Sequence, residues 1–225
     1  MKIIKQSWEF LNSGSVIDAL HLIEAAGRTC YKSEDKMTEE SAPNFVRRII
    51  KSGHHSVLEH FNISIRIITD RGVTHEIVRH RLASYSQEST RYCNYSQEKF
   101  GKEITVILPV WFGDDDLDKL ATEPDLTVTK QDPFDLWYMA CRNAEIFYFA
   151  LLSNGQSPQQ ARSVLPNSLK TEIVMTCNIR EWRHFFTLRT SAAAHPQMRE
   201  LATSMLRGFK ETFPVFFEDL QRGEE

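Results

Sequence analysis

Cysteine is scarce: four in 225 residues, Cys30, Cys93, Cys141 and Cys177, far apart and with no CxxC pair. That spacing argues against a disulfide framework or a zinc knuckle and reads as free thiols in a reducing cytoplasm. Net positive charge is also lacking. The 27 Lys and Arg face 30 Asp and Glu, a formal charge of -3, whereas chains that bind nucleic acid broadly carry a basic balance. No apolar run approaches the roughly 20 residues of a membrane helix. The opening MKIIKQSWEF has no signal-peptide stretch, so a cytoplasmic protein with no membrane partner is expected. The usual glycine-built phosphate loops, GxGxxG and GxxxxGK[ST], are missing, as is the GxSxG elbow of hydrolases. If a nucleotide is held, side chains must do the gripping.

What is present suits one globular domain over residues 1–225, since hydrophobic residues make up 41% and charged residues 25%. No repeat, low-complexity tract or Gly/Ser linker divides it. A strand is expected near Ile3 to Phe10, then a helix capped by Ser15 with Val16, Leu20, Ile23 and Ala26 on one face. A second helix should run from Pro43 to Lys51 and stop at Gly53. Phe61, Ile63, Ile65 and Ile67 alternate with polar residues as in a half-buried strand, and Asp70-Arg71-Gly72 turns the chain. A helix over Val73 to Leu82, a strand over Ile104 to Val110 and a long helix over Pro133 to Ser153 follow, the last stopped by Asn154-Gly155. Ser157-Pro158 opens a short helix. A strand over Lys170 to Cys177 precedes a helix begun by the Asn178/Glu181 capping pair, and a last helix follows Pro196. Without strict βαβ alternation, the expected class is α+β (irregular α/β), a mixed sheet packed by helices.

The charge is unevenly placed. RHRLASYSQESTRY, Arg79 to Tyr92, gathers three arginines and a histidine beside hydroxyls and an amide. On a helix Arg79 and Arg81 would diverge by about 200°, so they serve different ligands or one reaches a neighbouring subunit; beyond Ala83 the residues favour a loop closing on Arg91. Arg180 and His184, four apart, share a helix face; Asn178 begins that helix, Arg189 ends it, and Arg162 is a third locus. Three separate elements supplying arginine to an acidic chain fit a cleft for a small anion better than a solvated charged helix. GDDDLD (Gly113 to Asp118) lacks the EF-hand glycine and glutamate, with Lys119 and Asp125 in their places, and reads as a solvated acidic loop. HHSVLEH (His54 to His60) lacks the HExxH arrangement and reads as a pocket wall, so no metal is expected. A competing reading is an RNA-binding module, with Arg79, Arg81 and Arg91 beside Tyr85, Tyr92 and Tyr95 as a stacking platform.

The Arg79 segment resembles the signature of flavin-dependent thymidylate synthases, R-H-R-x-x-S-x-N-x-x-S-x-R, through Arg79, His80, Arg81, Ser84, Ser89 and Arg91, with Ser86 in place of the asparagine. HHSVLEH, ARSVLP and NIREWRHFFTLR are similar to three further segments of that family, in the same order. The resemblance implies a homotetramer with FAD at subunit interfaces, which methylates dUMP at uracil C5 with carbon from 5,10-methylenetetrahydrofolate. NADPH would reduce the flavin, and no cysteine nucleophile or nucleic-acid partner is implied. It further implies that Ser56, Arg79, His80, Arg81, Gln87, Asn178, Arg180 and His184 line the FAD site. Glu76, Arg79, Gln87, Glu88, Ser89, Thr90, Arg91, Arg162 and Arg189 would hold dUMP, with Arg189 as the catalytic guanidinium against the uracil edge. Glu76 stands where relatives often carry glutamine.

Overall fold

The computed structural model describes residues 1–12, 14–118 and 132–221. In chain order the strands are β1 (Lys2–Ile4), β2 (Ser7–Asn12), β3 (Asn62–Asp70), β4 (Ser84–Gln87), β5 (Thr105–Ile107) and β6 (Lys170–Asn178). The helices are α1 (Val16–Thr29), α2 (Ser41–Lys51), α3 (Arg71–Ile77), α4 (Asp114–Asp118), α5 (Pro133–Ser153), α6 (Pro158–Ala161), α7 (Ile179–Arg189), α8 (Pro196–Thr212) and α9 (Pro214–Phe217). One sheet has the strand order β2-β3-β6-β4, and β1 pairs in parallel with β5, with Ile3 opposite Val106. This is the α+β class expected. Two compact units can be distinguished: unit 1 comprises Met1–Ser7, Ile68–His75 and Gln87–Ile173, and unit 2 comprises Trp8–Ile67, Glu76–Ser86 and Val174–Glu225.

Unit 1 is organised by α5. Asp132 caps it, accepting a hydrogen bond from Phe134 N at 2.8 Å, and proline at its first position supplies a preset φ. Phe134, Cys141 and Tyr148, seven residues apart, fall on one stripe and are buried, with Cys141 and Tyr148 beside Tyr95, Ile104, Val106 and Leu169. Glu145 on the same helix is buried too, but it accepts from Ile104 N at 3.0 Å and from Arg142, so its charge is matched.

Unit 2 has an aromatic core. Trp182, Phe185, Phe186, Phe209, Phe213, Phe216 and Phe217 are all fully buried, each ring contributing on the order of 1.5–3 kcal/mol through removal from water. Trp182 also donates its indole N–H to the Ile63 carbonyl at 3.1 Å, anchoring α7 to β3. Trp8 lies so close to α8 that a Cβ at position 208 would meet its ring at 2.4 Å, so the chain needs Gly208 there. Arg183 holds Asp219 through two hydrogen bonds of 2.7 Å and also reaches the Phe216 carbonyl, tying α7 to the turn after α9.

Several boundaries differ from those read off the sequence. The first strand is two, β1 and β2, and α2 begins at Ser41. The strand expected over Ile104 to Val110 is only Thr105–Ile107. Gly113 to Asp118 is not a loop: Asp114–Asp118 forms α4, with Gly113 N donating to the Asp116 carboxylate at 2.9 Å. Lys119 and Asp125 lie outside the described residues. The larger corrections fall in the Arg79 segment. Helix α3 ends at Ile77, so Arg79 and Arg81 are on an exposed turn and the helical divergence drawn for them does not apply. The cause is Tyr85, whose hydroxyl lies 2.8 Å from the Ile77 carbonyl and 2.7 Å from that of His80, capping the helix end from outside. Ser84–Gln87 is strand β4 rather than a loop, because a place beside β6 in the sheet overrides the weak strand propensity of its serines.

Candidate functional site

In unit 2 the functional side chains radiate from the start of α7. Asn178 caps the helix, accepting from Glu181 N at 2.9 Å. The Glu181 side chain does not return the bond to complete a capping box; it turns to His80, whose Nδ1 lies 3.1 Å from its Oε1. Arg180 reaches Glu59 at 2.6 Å on the short 3-10 segment His55–His60. A cleft of about 680 Å3 opens here, lined among others by His55, Glu59, Asn178, Arg180 and His184. A second cleft of about 420 Å3 shares His55 and Arg180 and includes Ser56. Four of the residues expected around the flavin, Ser56, Asn178, Arg180 and His184, are thereby brought together. Arg79 and Arg81 line neither cleft.

His80 is buried, with its ring 4.9 Å from that of Phe185. Both its nitrogens are engaged: Nδ1 with Glu181 and Nε2 with Arg189 Nε, at 3.1 Å each. Arg189 also donates Nη1 to the Glu76 carboxylate at 2.9 Å and Nη2 to the Glu76 carbonyl at 3.1 Å. Helical spacing alone suggests that Arg189 faces away from the flavin group of residues; instead, its long side chain folds back onto His80. Burial is the main cause holding the His80 imidazole below its ordinary pKa, opposed by the Glu181 hydrogen bond and reinforced by the Arg189 charge. A neutral ring is therefore favoured.

Unit 1 carries the second polar group. A cleft of about 490 Å3 is lined by Arg71, Thr90, Gln159, Arg162, Ser163 and Asn167 with three apolar residues, and no carboxylate contributes to it among the described residues. Arg162 Nη1 donates to the Thr90 hydroxyl at 3.1 Å. Arg71 Nη1 is buried without a hydrogen-bond partner. A buried guanidinium N–H with nothing to donate to is costly, and an anion would satisfy it. Ser89 Oγ accepts from Arg91 N at 3.3 Å, and the exposed Arg91 guanidinium sits 5.4 Å from the Tyr92 ring. Gln87 spends its amide on Thr74 at 3.0 Å and Thr171 at 3.3 Å. Glu88 accepts from Tyr95 at 3.0 Å and from Lys170 at 3.1 Å, so it acts as an internal strut. Burial disfavours the Lys170 charge, but Glu172 and Glu88 outweigh it and hold the ammonium above its usual range.

Two members of these clusters escape a reading of the sequence. Arg71 sits in a turn signal, and its only mark is a cation at the first position of a helix, where the dipole disfavours it. Glu181 reads as a cap partner. The stacking platform of the RNA reading fails physically: Tyr95 is 5% exposed and the Tyr85 hydroxyl caps α3, which leaves Tyr92 alone exposed.

The fold and these three arginine-lined clefts define an α+β protein with cationic pockets suited to small anionic ligands. Residues 15–215 match the family model described as thymidylate synthase complementing protein. The flavin-dependent thymidylate synthase of Mycobacterium tuberculosis (strain H37Rv) is 39% identical over 204 residues, covering 89% of this chain and 79% of that protein. Its counterpart from Corynebacterium aurimucosum is 36% identical over 220 residues, covering 94% and 83%. In fold the chain is similar to the UMP/dUMP methylase PolB from Streptomyces cacaoi, solved with 5-Br dUMP, at a TM-score of 0.72 and 22% identity over 97% of this chain and 96% of that one. The chain belongs to the family of flavin-dependent thymidylate synthases, for which FAD is the cofactor.

Proposed function

We propose that the protein carries out the reductive methylation of dUMP to dTMP, taking its carbon from 5,10-methylenetetrahydrofolate and its reducing equivalents from NADPH. FAD supplies the hydride chemistry when bound, and the chain's own residues bind, orient and polarise. The donor set of unit 2 suits the flavin nucleotide. Arg180, His184, Asn178 and Ser56 offer charged and neutral donors around two adjoining clefts of about 680 and 420 Å3, within the range of sites that hold sizeable ligands. Arg79 and Arg81, exposed on their turn, are assigned to FAD held where subunits of a homotetramer meet. His80 serves that site by orienting its neighbours, since both its ring nitrogens are already engaged.

In unit 1, Arg162, Thr90, Ser89 and Arg91, joined by Arg71, receive the dUMP phosphate. The observation that carries this is the carboxylate-free cleft with a buried, unsatisfied Arg71 N–H beside Arg162. Arginine matches a phosphate dianion with paired charge-assisted bonds. Gln87, at the end of β4, and Glu88 hold the segment that leads to Ser89 through their internal bonds. Arg189, held by Glu76, is the donor assigned to the N3 and carbonyl edge of the uracil, where its charge stabilises negative charge and so polarises the ring. A cysteine nucleophile has no part. The reaction is cytoplasmic.

The test is direct. Purified protein should be yellow, with flavin absorbance, and should form dTMP from dUMP only when both methylenetetrahydrofolate and NADPH are supplied. A colourless protein that takes up no FAD, or dTMP formation independent of the folate, would reject this reading.

A further inference from the structure

The bonds around Arg189 have a fixed polarity. A guanidinium only donates, so His80 Nε2, 3.1 Å from Arg189 Nε, must be the accepting, unprotonated nitrogen. The ring proton then sits on Nδ1, where the Glu181 carboxylate accepts it at 3.1 Å. Glu181 is itself fixed, being buried and held at its backbone by Asn178. The chain of donors therefore runs from Arg189 through His80 to Glu181.

Arg189 has five N–H groups, and three are engaged: one by His80, one by the Glu76 carboxylate and one by the Glu76 carbonyl. One N–H remains on each terminal nitrogen, and the side chain keeps 19% exposure. A planar fork is therefore clamped on its inner edge with two donors left over for a ligand. We propose that Glu181, acting through the tautomer it imposes on His80, is a positioning residue that aims the Arg189 fork for the methylation step. This rests on the reading of Arg189 as the uracil-polarising donor. A depressed His80 pKa, caused chiefly by burial, keeps Nε2 able to accept at neutral pH.

Glu181→Gln tests the relay with little change in shape. The glutamine amide can donate to Nδ1, which moves the ring proton to Nε2, and two donors then face each other at Arg189. A fork displaced by a fraction of an ångström to 1 Å costs about 10- to 100-fold in turnover. The expected result is that Glu181→Gln lowers kcat for dTMP formation at least about tenfold. The KM for dUMP and the flavin content should stay within about threefold, since one of three clamps is lost and glutamine keeps the size of Glu181 where it borders the larger cleft. In the Arg189→Ala background, itself at least about 100-fold slower, adding Glu181→Gln should produce no further loss. Replacing His80 separates positioning from packing. His80→Gln offers an acceptor near the Nε2 position, whereas His80→Asn reaches only toward Glu181, so the glutamine variant should turn over about tenfold faster than the asparagine variant.

Wild-type kcat in folded Glu181→Gln, additive losses in the double variant, or equal turnover in the two His80 variants would each overturn the relay while leaving Arg189 in its role. Normal turnover in Arg189→Ala would instead remove the reading of Arg189 and the relay with it. Should Glu181→Gln fail to fold, the ratio of the two His80 variants decides.

Discussion

Arg189 Nε donates to His80 Nε2 over 3.1 Å, so the last residue of α7 is fastened to the middle of the R-H-R segment 109 positions away. Its two terminal nitrogens are fastened to Glu76. A lysine cannot reproduce that arrangement, because an ammonium has no Nε–H and no planar fork. Arg189→Lys should keep FAD and its reduction by NADPH, yet form dTMP at least ~100-fold more slowly, as expected when one transition-state donor is lost. Following flavin reduction and dTMP formation separately in one preparation checks this. Normal dTMP formation, or loss of both half-reactions together, removes Arg189 from the role.

Arg180 lines the two adjoining clefts of about 680 and 420 Å3 in unit 2 and is held by Glu59 at 2.6 Å, although both side chains are about half exposed. The ion pair itself therefore adds little to stability, and the value of Arg180 lies in what it presents to the clefts. Arg180→Ala should lower flavin affinity by about 10- to 100-fold, the loss of one charge-assisted bond of on the order of 1.5–3 kcal/mol, with little change in melting temperature of the apoprotein. Arg79→Ala should also lose flavin if the site is shared between subunits. Flavin content after gel filtration is the readout, and full occupancy in both variants would reject the assignment.

The structure divides what the sequence can and cannot announce. Helices with strong local signals are plain in it: α5 begins after Asp132 with proline first and ends before Asn154-Gly155, and α1 follows its Ser15 cap. The strands β3 and β6 also show their alternation. The stretch from Val78 to Gln87 is opaque, because the end of α3 is set by a hydroxyl eight residues further on and β4 is set by its neighbour in the sheet. The same holds for the sites. Arg162, Arg180 and His184 are legible from type and spacing, but the Glu181–His80–Arg189 chain joins residues more than 100 positions apart, and no local pattern encodes it.

Cys93, Cys141 and Cys177 make poor nucleophiles. Burial pushes Cys141 up to about 11, and it pushes Cys177 well above the ordinary thiol range, with Glu181 adding to it. Cys93 is raised as well, chiefly by burial. At neutral pH none of these three holds an appreciable thiolate fraction. Replacing each of the four cysteines singly by alanine should leave dTMP formation within about tenfold wherever the variant folds, with the buried Cys141 and Cys177 costing stability rather than chemistry. A stably folded single variant without turnover would restore the covalent route of the cysteine-dependent thymidylate synthases.

Asp219 gives a pH signature to the stability of unit 2. The paired hydrogen bonds from Arg183 hold the Asp219 carboxyl below its ordinary pKa, opposed by burial and reinforced by the Arg183 charge. A carboxyl depressed on folding contributes stability above its unfolded pKa, about 3.9, and loses it as pH falls through the lower folded value. Asp219→Asn should therefore melt at a lower temperature than the parent at pH 7, and the gap should close as pH is taken below about 4. A gap that is constant with pH would mean that packing at the turn after α9, and not the Arg183 charge, sets the difference.

Arg71 and Arg162 sit in one cleft of unit 1 with no carboxylate among the described residues to neutralise them, and the buried Arg71 Nη1 lacks any partner. Two unneutralised guanidiniums are held there at a cost in stability that bound phosphate would offset. Arg71→Gln and Arg162→Gln should each raise the KM for dUMP by about tenfold or more, since each removes a charge-assisted bond of roughly 1.5–3 kcal/mol, while flavin content stays unchanged. Arg71→Met, which buries no unmatched donor, should melt at or above the parent temperature in the absence of ligand. The same variant should gain less thermal stabilisation from dUMP than the parent, because ligand-linked stability follows affinity. Melting curves with and without dUMP, run beside the KM measurements, read both effects. An Arg71 variant with an unchanged KM and an unchanged dUMP-induced shift would take Arg71 out of the phosphate site and leave its buried N–H without a ligand to account for it.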